Sequence, residues 1–238
     1  MRVGIVSDIH GNIHALKAVE KELLRLKVDE VWCLGDIVGY GAFPNECLEW
    51  VRKNCSVAIL GNHELAVMGF VDLELLNDYA KRALEWTRSV MDDNYFEFLK
   101  DLAIQKELEC CQLVHDTPAA PGSMEYILTK SDAFRALLRQ SRNLCLFGHT
   151  HIPKAYRLVS SSVDELSPLE VSLDSGRYLL NPGSVGQPRD GDPRASFGIF
   201  DEGKFRVFRV EYPVKLAARE ILKVGLPEFL AARLIVGV

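Results

Sequence analysis

Short apolar runs alternate with amphipathic stretches along the first sixty residues. The runs at 3–7, 31–34 and 57–60 have the length and composition of buried strands. Between them, residues 14–26 carry apolar side chains at helical spacing, and residues 45–51 form a second apolar, helix-like stretch. Strands that alternate with helices predict β-α-β units, in which parallel strands are buried on both faces.

The remainder of the chain predicts more helices and a change in strand character. Residues 72–101 are periodic and contain no Gly or Pro, which indicates two helices inserted after the first strands. Residues 214–236 return to a helical pattern, and residues 160–167 are polar and serine-rich, as in a hairpin loop. Further strands are predicted at 110–114, 144–147, 155–159, 178–180, 197–200 and 205–210.

The four strand-like runs after residue 153 favour a second, largely antiparallel sheet. No internal repeat or low-complexity tract interrupts the chain. The pattern therefore predicts an α/β fold in one domain spanning residues 1–238, with a helical insertion at about 72–101.

Composition excludes several classes of protein. Hydrophobic residues make up 48% of the 238 residues and charged residues 26%, which excludes intrinsic disorder. The net charge is −5 and the basic residues are scattered, which disfavours binding to duplex nucleic acid. No apolar window has the length of a membrane span, and the six cysteines show no paired spacing. We expect a reduced, cytoplasmic protein without a membrane partner; a homo-oligomer is left open.

The candidate chemistry lies where the predicted strands end. Five of the six histidines follow such strands, together with two aspartates and an asparagine. Because the carboxyl ends of the strands of an α/β sheet face one crevice, these loops are expected to converge. His14, which opens a helix, is interpreted instead as a packing or surface residue. The converging residues are Asp8, His10, Asp36, Asn62, His63, His115, His149 and His151.

Imidazole, carboxylate and amide oxygen together suit Mn, Fe, Co, Ni or Zn better than Ca or Mg. Seven candidate ligands exceed what one tetrahedral ion needs, so two ions sharing a carboxylate are predicted. Two ions roughly 3.5–4 Å apart neutralise a phosphate ester and activate water for attack on it. His63, beside Asn62, is placed as a proton donor to the leaving oxygen.

Four short motifs, each after a predicted strand, resemble in kind and order those of the calcineurin-like metallophosphoesterases. The resemblance spans residues 3 to about 200. Residues 181–189 also resemble a segment common in the compact bacterial and archaeal members. The motifs are Asp8-Ile9-His10, Gly35-Asp36-Ile37-Val38-Gly39, Gly61-Asn62-His63-Glu64 and Gly148-His149-Thr150-His151.

The resemblance implies a four-layer α/β/β/α sandwich, with two mixed β-sheets flanked by helices. It also implies two metal ions in each chain, manganese being favoured for activity. One metal would be held by Asp8, His10 and His151, the other by Asn62, His115 and His149, and Asp36 would bridge both. His63 would contact the phosphate and protonate the leaving group, while Asn12 and Arg189 would contact substrate.

Three functions follow from this set. The first is a metal-dependent phosphoesterase that hydrolyses a phosphodiester or phosphomonoester through a bridging hydroxide, acting on a small phosphate ester or nucleotide. The alternative is a catalytically weak or inactive scaffold of the same fold that mediates protein interactions. A nuclease for short single strands or cyclic nucleotides is a third. The presence of all seven ligand positions and His63 favours the enzyme.

One position departs from the family pattern. Relatives often carry small residues after the histidine that corresponds to His115, and this chain has Asp116 there. A carboxylate at that position is expected to add negative charge beside the second metal.

Overall fold

The computed structural model describes residues 1–238 except for the side chain of Leu75. None of the helices among these residues combines the length and the apolar character needed to cross a membrane. The strands are Arg2–Val6 (β1), Glu30–Cys33 (β2), Val57–Ala58 (β3), Gln105–Glu107 (β4), Gln112–Val114 (β5), Leu144–Leu146 (β6), Lys154–Val159 (β7), Ser162–Leu166 (β8), Glu170–Ser172 (β9), Arg177–Asn181 (β10), Ala195–Asp201 (β11) and Lys204–Val210 (β12). The helices are Ile13–Arg25 (α1), Pro44–Asn54 (α2), Asn62–Val67 (α3), Asp78–Val90 (α4), Asp93–Lys100 (α5), Lys130–Arg139 (α6), Val214–Lys223 (α7) and Glu228–Val236 (α8), with a 3-10 turn at Leu73–Leu75.

The first sheet has the strand order β3-β2-β1-β11-β12-β9. Strand β1 pairs in parallel with β2, and β2 in parallel with β3, which confirms the predicted β-α-β units. On its other side β1 pairs antiparallel with β11, so Ile5 lies between Trp32 and Gly198. This pairing brings the late segment of the chain beside the first motif.

The second sheet has the order β4-β5-β6-β10-β7-β8 and is also mixed. Strands β5, β6 and β10 are parallel, whereas β7 and β8 add antiparallel. The prediction that the runs after residue 153 form one antiparallel sheet is therefore wrong. Strands β7 and β10 belong to the second sheet, and β11 and β12 complete the first, because β11 pairs with β1 on one side and with β12 on the other.

Alternating side chains of each sheet face two different layers, as the two-residue period of a strand requires. Ile5 of β1 and Leu180 of β10 share one apolar cluster between the sheets. Val6 of β1 instead packs with α1 and α2, and Leu179 of β10 packs with α6. These contacts confirm the α/β/β/α sandwich.

Other local predictions are corrected by the structure. Residues 160–167 form a hairpin turn only at 160–161; residues 162–166 are the edge strand β8, which pairs with β7. The insertion at 72–101 does hold two helices, α4 and α5, preceded by the 3-10 turn. Helices α3 and α6 were not predicted, since one is short and the other follows an irregular loop.

Candidate metal centre

The predicted ligands lie on tight loops at the ends of strands, with unusual backbone angles. Residues other than glycine rarely adopt a positive φ, and each such residue costs about 1–3 kcal/mol. That cost is tolerated where the surrounding structure fixes a functional geometry. The predicted ligands with positive φ are Asp8 (54°), His10 (49°), Asp36 (53°), His149 (65°) and His151 (60°).

Backbone hydrogen bonds join these loops into one buried surface that carries the predicted ligands, and this surface is called the floor of the site. The amide of Asp8 donates to the carbonyl of Gly35 at 3.0 Å, and that of His10 donates to the carbonyl of Asp36 at 2.9 Å. The amide of His149 donates to Asp8 Oδ1 at 3.2 Å. Hydrogen bonds thereby fix the relative positions of loops that are more than a hundred residues apart in sequence.

One group of possible ligands comprises Asp8, His10, Asp36 and His151, whose donor atoms all lie within 4.8 Å of one another. Nε2 of His10 lies 3.0 Å from Nε2 of His151 and 3.6 Å from Oδ2 of Asp36. Nε2 of His151 lies 3.3 Å from Oδ1 of Asp8. The group can hold a metal ion with two imidazoles and two carboxylates.

A second group comprises Asp36, His115 and His149 and shares Asp36 with the first. Nε2 of His115 lies 3.2 Å from Oδ2 of Asp36. The neighbouring Asn62 belongs beside this group, since the amide of His63, the next residue, donates to Asp36 Oδ1 at 2.9 Å. The structure thus brings the six predicted Asp and His ligands together in one buried place, with the half-buried Asn62 beside them.

The imidazole rings are fixed in orientation by backbone carbonyls. Nδ1 of His10 contacts the carbonyl of Val38 at 3.0 Å, and Nδ1 of His115 contacts that of Leu34 at 2.8 Å. Nδ1 of His151 is held in the same way by a backbone carbonyl at 2.6 Å. A histidine that donates one ring N–H to such a partner presents the other nitrogen as a ligand.

His149 is oriented in the opposite sense, because its Nε2 contacts the carbonyl of Met124 at 3.1 Å and Nδ1 is left for the site. Two oxygen atoms at the centre support a ligand role. Asp8 Oδ2 and Asn62 Oδ1 are buried and have no hydrogen-bond partner among the described residues. A buried oxygen without a partner is costly unless a ligand such as a metal ion satisfies it.

The protonation states also fit a metal centre. Burial lowers the pKa values of His10 and His151 well below the usual range and that of His149 to about 3, so these rings are neutral at pH 7. Burial alone would raise the pKa of Asp36, but the charges of His115 and His63 hold it well below its usual range. Neutral imidazole and ionised carboxylate are the forms that bind metal.

The pKa values of Asp8 and His115 are also those expected of a metal site without its cation. Burial raises the pKa of Asp8 to about 6, and repulsion from Asp36 adds to this rise. Burial would lower the pKa of His115, but attraction to Asp36 and Asp8 raises it to about 10. A proton on His115 therefore occupies the position at which a cation would neutralise both carboxylates, and metal binding would displace that proton.

His63 lies next to the first group, at the start of α3. Its ring centroid is 4.6 Å from that of His10 and 4.5 Å from that of Tyr40. Burial lowers its pKa to about 4, and only the opposing charge of Asp36 limits the fall. His63 is therefore neutral unless an anion arrives beside it.

Glu64 has a role that the sequence did not reveal. Its side chain is fully buried and accepts four backbone N–H groups, from Asp36, Ile37, Val38 and Gly61, at 2.7–3.0 Å. Burial and the charge of Asp36 raise its pKa to about 7, against the lowering effect of these donors. Glu64 thus ties the loop of the possible bridging aspartate to the turn before Asn62.

Asp116 does not face the ligands as expected. Its carboxylate accepts the amides of Thr117, Gly122 and Met124 at 2.8, 3.1 and 2.8 Å, so its charge is used to fold the following loop. The expectation of free negative charge beside a second metal is therefore corrected. The same loop carries Met124, whose carbonyl contacts His149.

The two predicted substrate contacts differ from each other. Asn12 caps α1 through its Oδ1, which accepts from Ala15 at 3.1 Å, and its amide donates to the carbonyl of Gly186 at 2.9 Å. These bonds give Asn12 a structural use, and a substrate contact for it stays a prediction. Arg189 lies beside Tyr40, with its guanidinium carbon 5.8 Å from the ring centroid, and a substrate contact for it also stays a prediction.

Tyr126 is a site residue that sequence reasoning missed. Its ring stacks on that of His149 at 4.1 Å and 21°, and 46% of the residue is exposed. An aromatic side chain in an irregular loop carries no periodic signal, so only the three-dimensional structure locates it. Tyr126 forms part of the exposed edge of the site, which is called the rim below.

The protein is an α/β sandwich in which five histidines and two aspartates lie together at the ends of strands. This arrangement is typical of metal-binding α/β proteins. A family model, the calcineurin-like phosphoesterase superfamily domain, matches residues 1–204. The chain belongs to that superfamily.

Relatives of similar length support this assignment. An uncharacterized protein from Methanocaldococcus jannaschii is 39% identical over 246 residues, covering 99% of this chain and 98% of the relative. The crystal structure of a metallophosphoesterase from Sphaerobacter thermophilus is 38% identical, with a TM-score of 0.89 and coverage of 100% and 99% of the two chains. A symmetrical bis(5'-nucleosyl)-tetraphosphatase from Actinobacillus pleuropneumoniae is 39% identical over 71 residues, 29% of this chain and 26% of the enzyme.

Proposed function

We propose that the protein is a phosphoesterase that hydrolyses phosphodiester or phosphomonoester bonds with two divalent transition-metal ions. The observation that carries this proposal is the position of Asp36, whose carboxylate belongs to both groups of possible ligands. A carboxylate shared by both groups would hold two ions close together, as a two-metal site needs. The two groups supply different further donors, with Asp8, His10 and His151 on one side and His115 and His149 on the other.

The metal ions would supply neutralisation of the phosphate charge and a lowered pKa for water. The chain would supply the fixed donor atoms, a pocket that excludes bulk water, and a proton donor. Hydrolysis adds water across a P–O bond, so the oxygen of water joins phosphorus and the leaving oxygen takes a proton. His63 is the group proposed to donate that proton, because it is buried beside His10 and Tyr40 and is not needed as a ligand.

The low pKa of His63 constrains this role. At about 4 the ring holds one proton on one nitrogen at neutral pH, and Nδ1 is buried without a partner. An anionic phosphate beside the ring would favour its protonated form, so the proton would be taken up as substrate binds. We propose a small phosphate ester or nucleotide as substrate, because the net charge of −5 disfavours extended nucleic acid and because the tetraphosphatase relative has a nucleotide substrate in its name.

The test combines metal analysis with hydrolysis of bis(4-nitrophenyl) phosphate and 4-nitrophenyl phosphate, with and without added manganese. We expect about two transition-metal ions per chain and metal-dependent release of nitrophenol. The variant His63→Asn should keep its metal while its turnover falls by roughly 100-fold or more. Metal binding without turnover of either ester or of nucleotides would favour the scaffold alternative, and no metal binding would refute the two-metal enzyme.

A further inference from the structure

The C-terminal helix α8 contributes a wall to the metal centre, although it lies beyond the residues matched by the family model. Tyr40, which packs on the rings of His10 and His63, also belongs to one apolar cluster with Leu230 and Leu234 of this helix. Leu234 and His10 line the same small cavity. The last turn of α8 is therefore adjacent to the proposed catalytic groups.

A backbone hydrogen bond fixes the end of α8 to the loop that carries Arg189. The amide of Gly191 donates to the carbonyl of Gly237 at 2.8 Å. The amide of Arg189 in turn donates to the carbonyl of His151, one of the proposed ligands, at 3.3 Å. The loop and the helix end thus form one continuous side of the site.

Each element of this wall carries an arginine. Arg189 Nη2 donates to Gln187 Oε1 at 2.9 Å, while its Nε is buried without a partner. Arg233 Nε donates to the backbone oxygen of Val238 at 2.5 Å, and its guanidinium lies 5.3 Å from the ring centroid of Phe229. Within the part of the chain that the structure describes, neither guanidinium forms an ion pair with an Asp or Glu side chain.

The two arginines repel each other. Burial lowers the pKa of Arg233 to about 10, the charge of Arg189 lowers it further, and Tyr40 and Tyr126 oppose the shift. The two arginines stand on the two elements that the Gly191–Gly237 hydrogen bond joins, so like charge is concentrated on this side of the site. Two half-buried cations without an Asp or Glu partner are costly, and an anionic ligand would remove that cost.

We propose that Arg189 and Arg233 form a second anion-binding subsite beside the metal ligands, which takes a second phosphoryl group of the substrate. The inference rests on the proposed function, because the metals would take the phosphoryl group that is cleaved. A guanidinium is suited to this task since its planar set of donors matches phosphate oxygens two at a time. The substrate class is a nucleotide with at least two linked phosphoryl groups.

The test measures binding rather than turnover, so that it stands apart from hydrolysis. The manganese-loaded protein is titrated calorimetrically with AMP and with α,β-methylene-ADP, a diphosphate analogue that is not cleaved between its phosphoryl groups. Manganese is kept in excess over both ligands because diphosphates bind the metal in solution. We expect the diphosphate analogue to bind at least about tenfold more tightly than AMP, a difference of about 1.4 kcal/mol.

Variants then test whether the arginines cause the difference in affinity between the diphosphate analogue and AMP. Arg233→Gln should reduce the affinity ratio to nearly one, and Arg233→Lys should restore part of it because the charge returns without the planar donors. Arg219→Gln is the matched control, since Arg219 is an exposed arginine on the adjacent helix α7 and should leave the ratio unchanged. Thermal unfolding of each variant checks that α8 stays folded.

Two results would overturn the subsite. One is equal affinity of the unaltered protein for the two ligands, a result that depends on no variant. The other is an Arg233→Gln protein that keeps the ratio or loses affinity for both ligands equally. If no ester is hydrolysed but the ratio and its loss are found, the proposed function fails and the anion subsite stands.

Discussion

The floor and the rim of the metal centre are built differently. On the floor, Asp8 and Asp36 are at most 1% exposed, and every imidazole that could bind metal is held by a backbone carbonyl. On the rim, Tyr126 is 46% exposed, and Arg189 and Arg233 form no ion pair with an Asp or Glu side chain among the described residues. The floor is a fixed set of ligands, whereas the rim has donors that are still available to a substrate.

This difference separates two properties of the protein. Fixed ligands determine which metals bind and which class of bond is cleaved, since catalysis depends on preorganised groups. Groups at the rim determine which substrate is held there. Changes on the floor should therefore alter metal content or stability, and changes at the rim should alter the relative affinity for substrates.

The largest effect is expected for Asp36→Asn, which removes one anionic oxygen from the residue shared by both groups of ligands. Affinity for both metal ions should fall by more than roughly 100-fold, because even contacts that only support a ligand are worth roughly 10–100-fold. Competition with a coloured chelator measures both dissociation constants. Hydrolysis of bis(4-nitrophenyl) phosphate should fall in parallel.

Asp201→Asn is the control for that change, since Asp201 is paired with Arg2 on the surface and is remote from the ligand groups. It should leave metal affinity unaltered. Weakened binding of one ion alone in Asp36→Asn would show that Asp36 does not serve both ions.

Glu64→Gln should have the next largest effect, and it should act on stability. The amide that replaces one carboxylate oxygen would face N–H groups that now donate to Oε1 or Oε2 at 2.7–3.0 Å. Loss of two buried hydrogen bonds should cost about 3 kcal/mol of the free energy of unfolding. Denaturant unfolding measures this change; the surface variant Glu22→Gln should change it by less than about 0.5 kcal/mol. An equally small change in Glu64→Gln would mean that the four donors do not need an ionised partner.

The same division explains how far the sequence could predict the structure. The β-α-β units and the positions of the ligands follow from local patterns: an apolar strand, then a loop with a carboxylate or imidazole. Glu64 stands three residues after Gly61, the spacing at which a helix cap is expected, and it does accept the amide of Gly61. Its other three partners lie in the loop of Asp36, and no spacing along the chain indicates those contacts.

Features that depend on distant pairing escaped prediction. Strand β11 joins the first sheet only because its register with β1 sets Phe200 against Val3, a contact across almost two hundred residues. Edge strand β8 is polar on both faces and lacks the alternation that marks a half-buried strand. Arg233 approaches the rim because α8 packs on Tyr40, which the helical pattern of residues 214–236 cannot show.

The smallest effect is expected for Asp116→Asn, which tests how the rim loop supports one floor residue. Asp116 holds the amide of Met124, and the carbonyl of Met124 contacts His149. An asparagine loses one of three acceptor contacts, so the loop should loosen and the metal held by His115 and His149 should bind about tenfold more weakly.

The other metal, beside His10 and His151, should bind as before, so the chelator competition should show one altered dissociation constant and one unaltered constant. Ser123→Ala is the matched control within the same loop, because its hydroxyl accepts only a 3.3 Å contact from an exposed amide. Equal weakening of both metals in Asp116→Asn would mean that the loop supports the whole floor. An unaltered protein would mean that His149 is held by its stacking on Tyr126 at 4.1 Å rather than by the loop carbonyl.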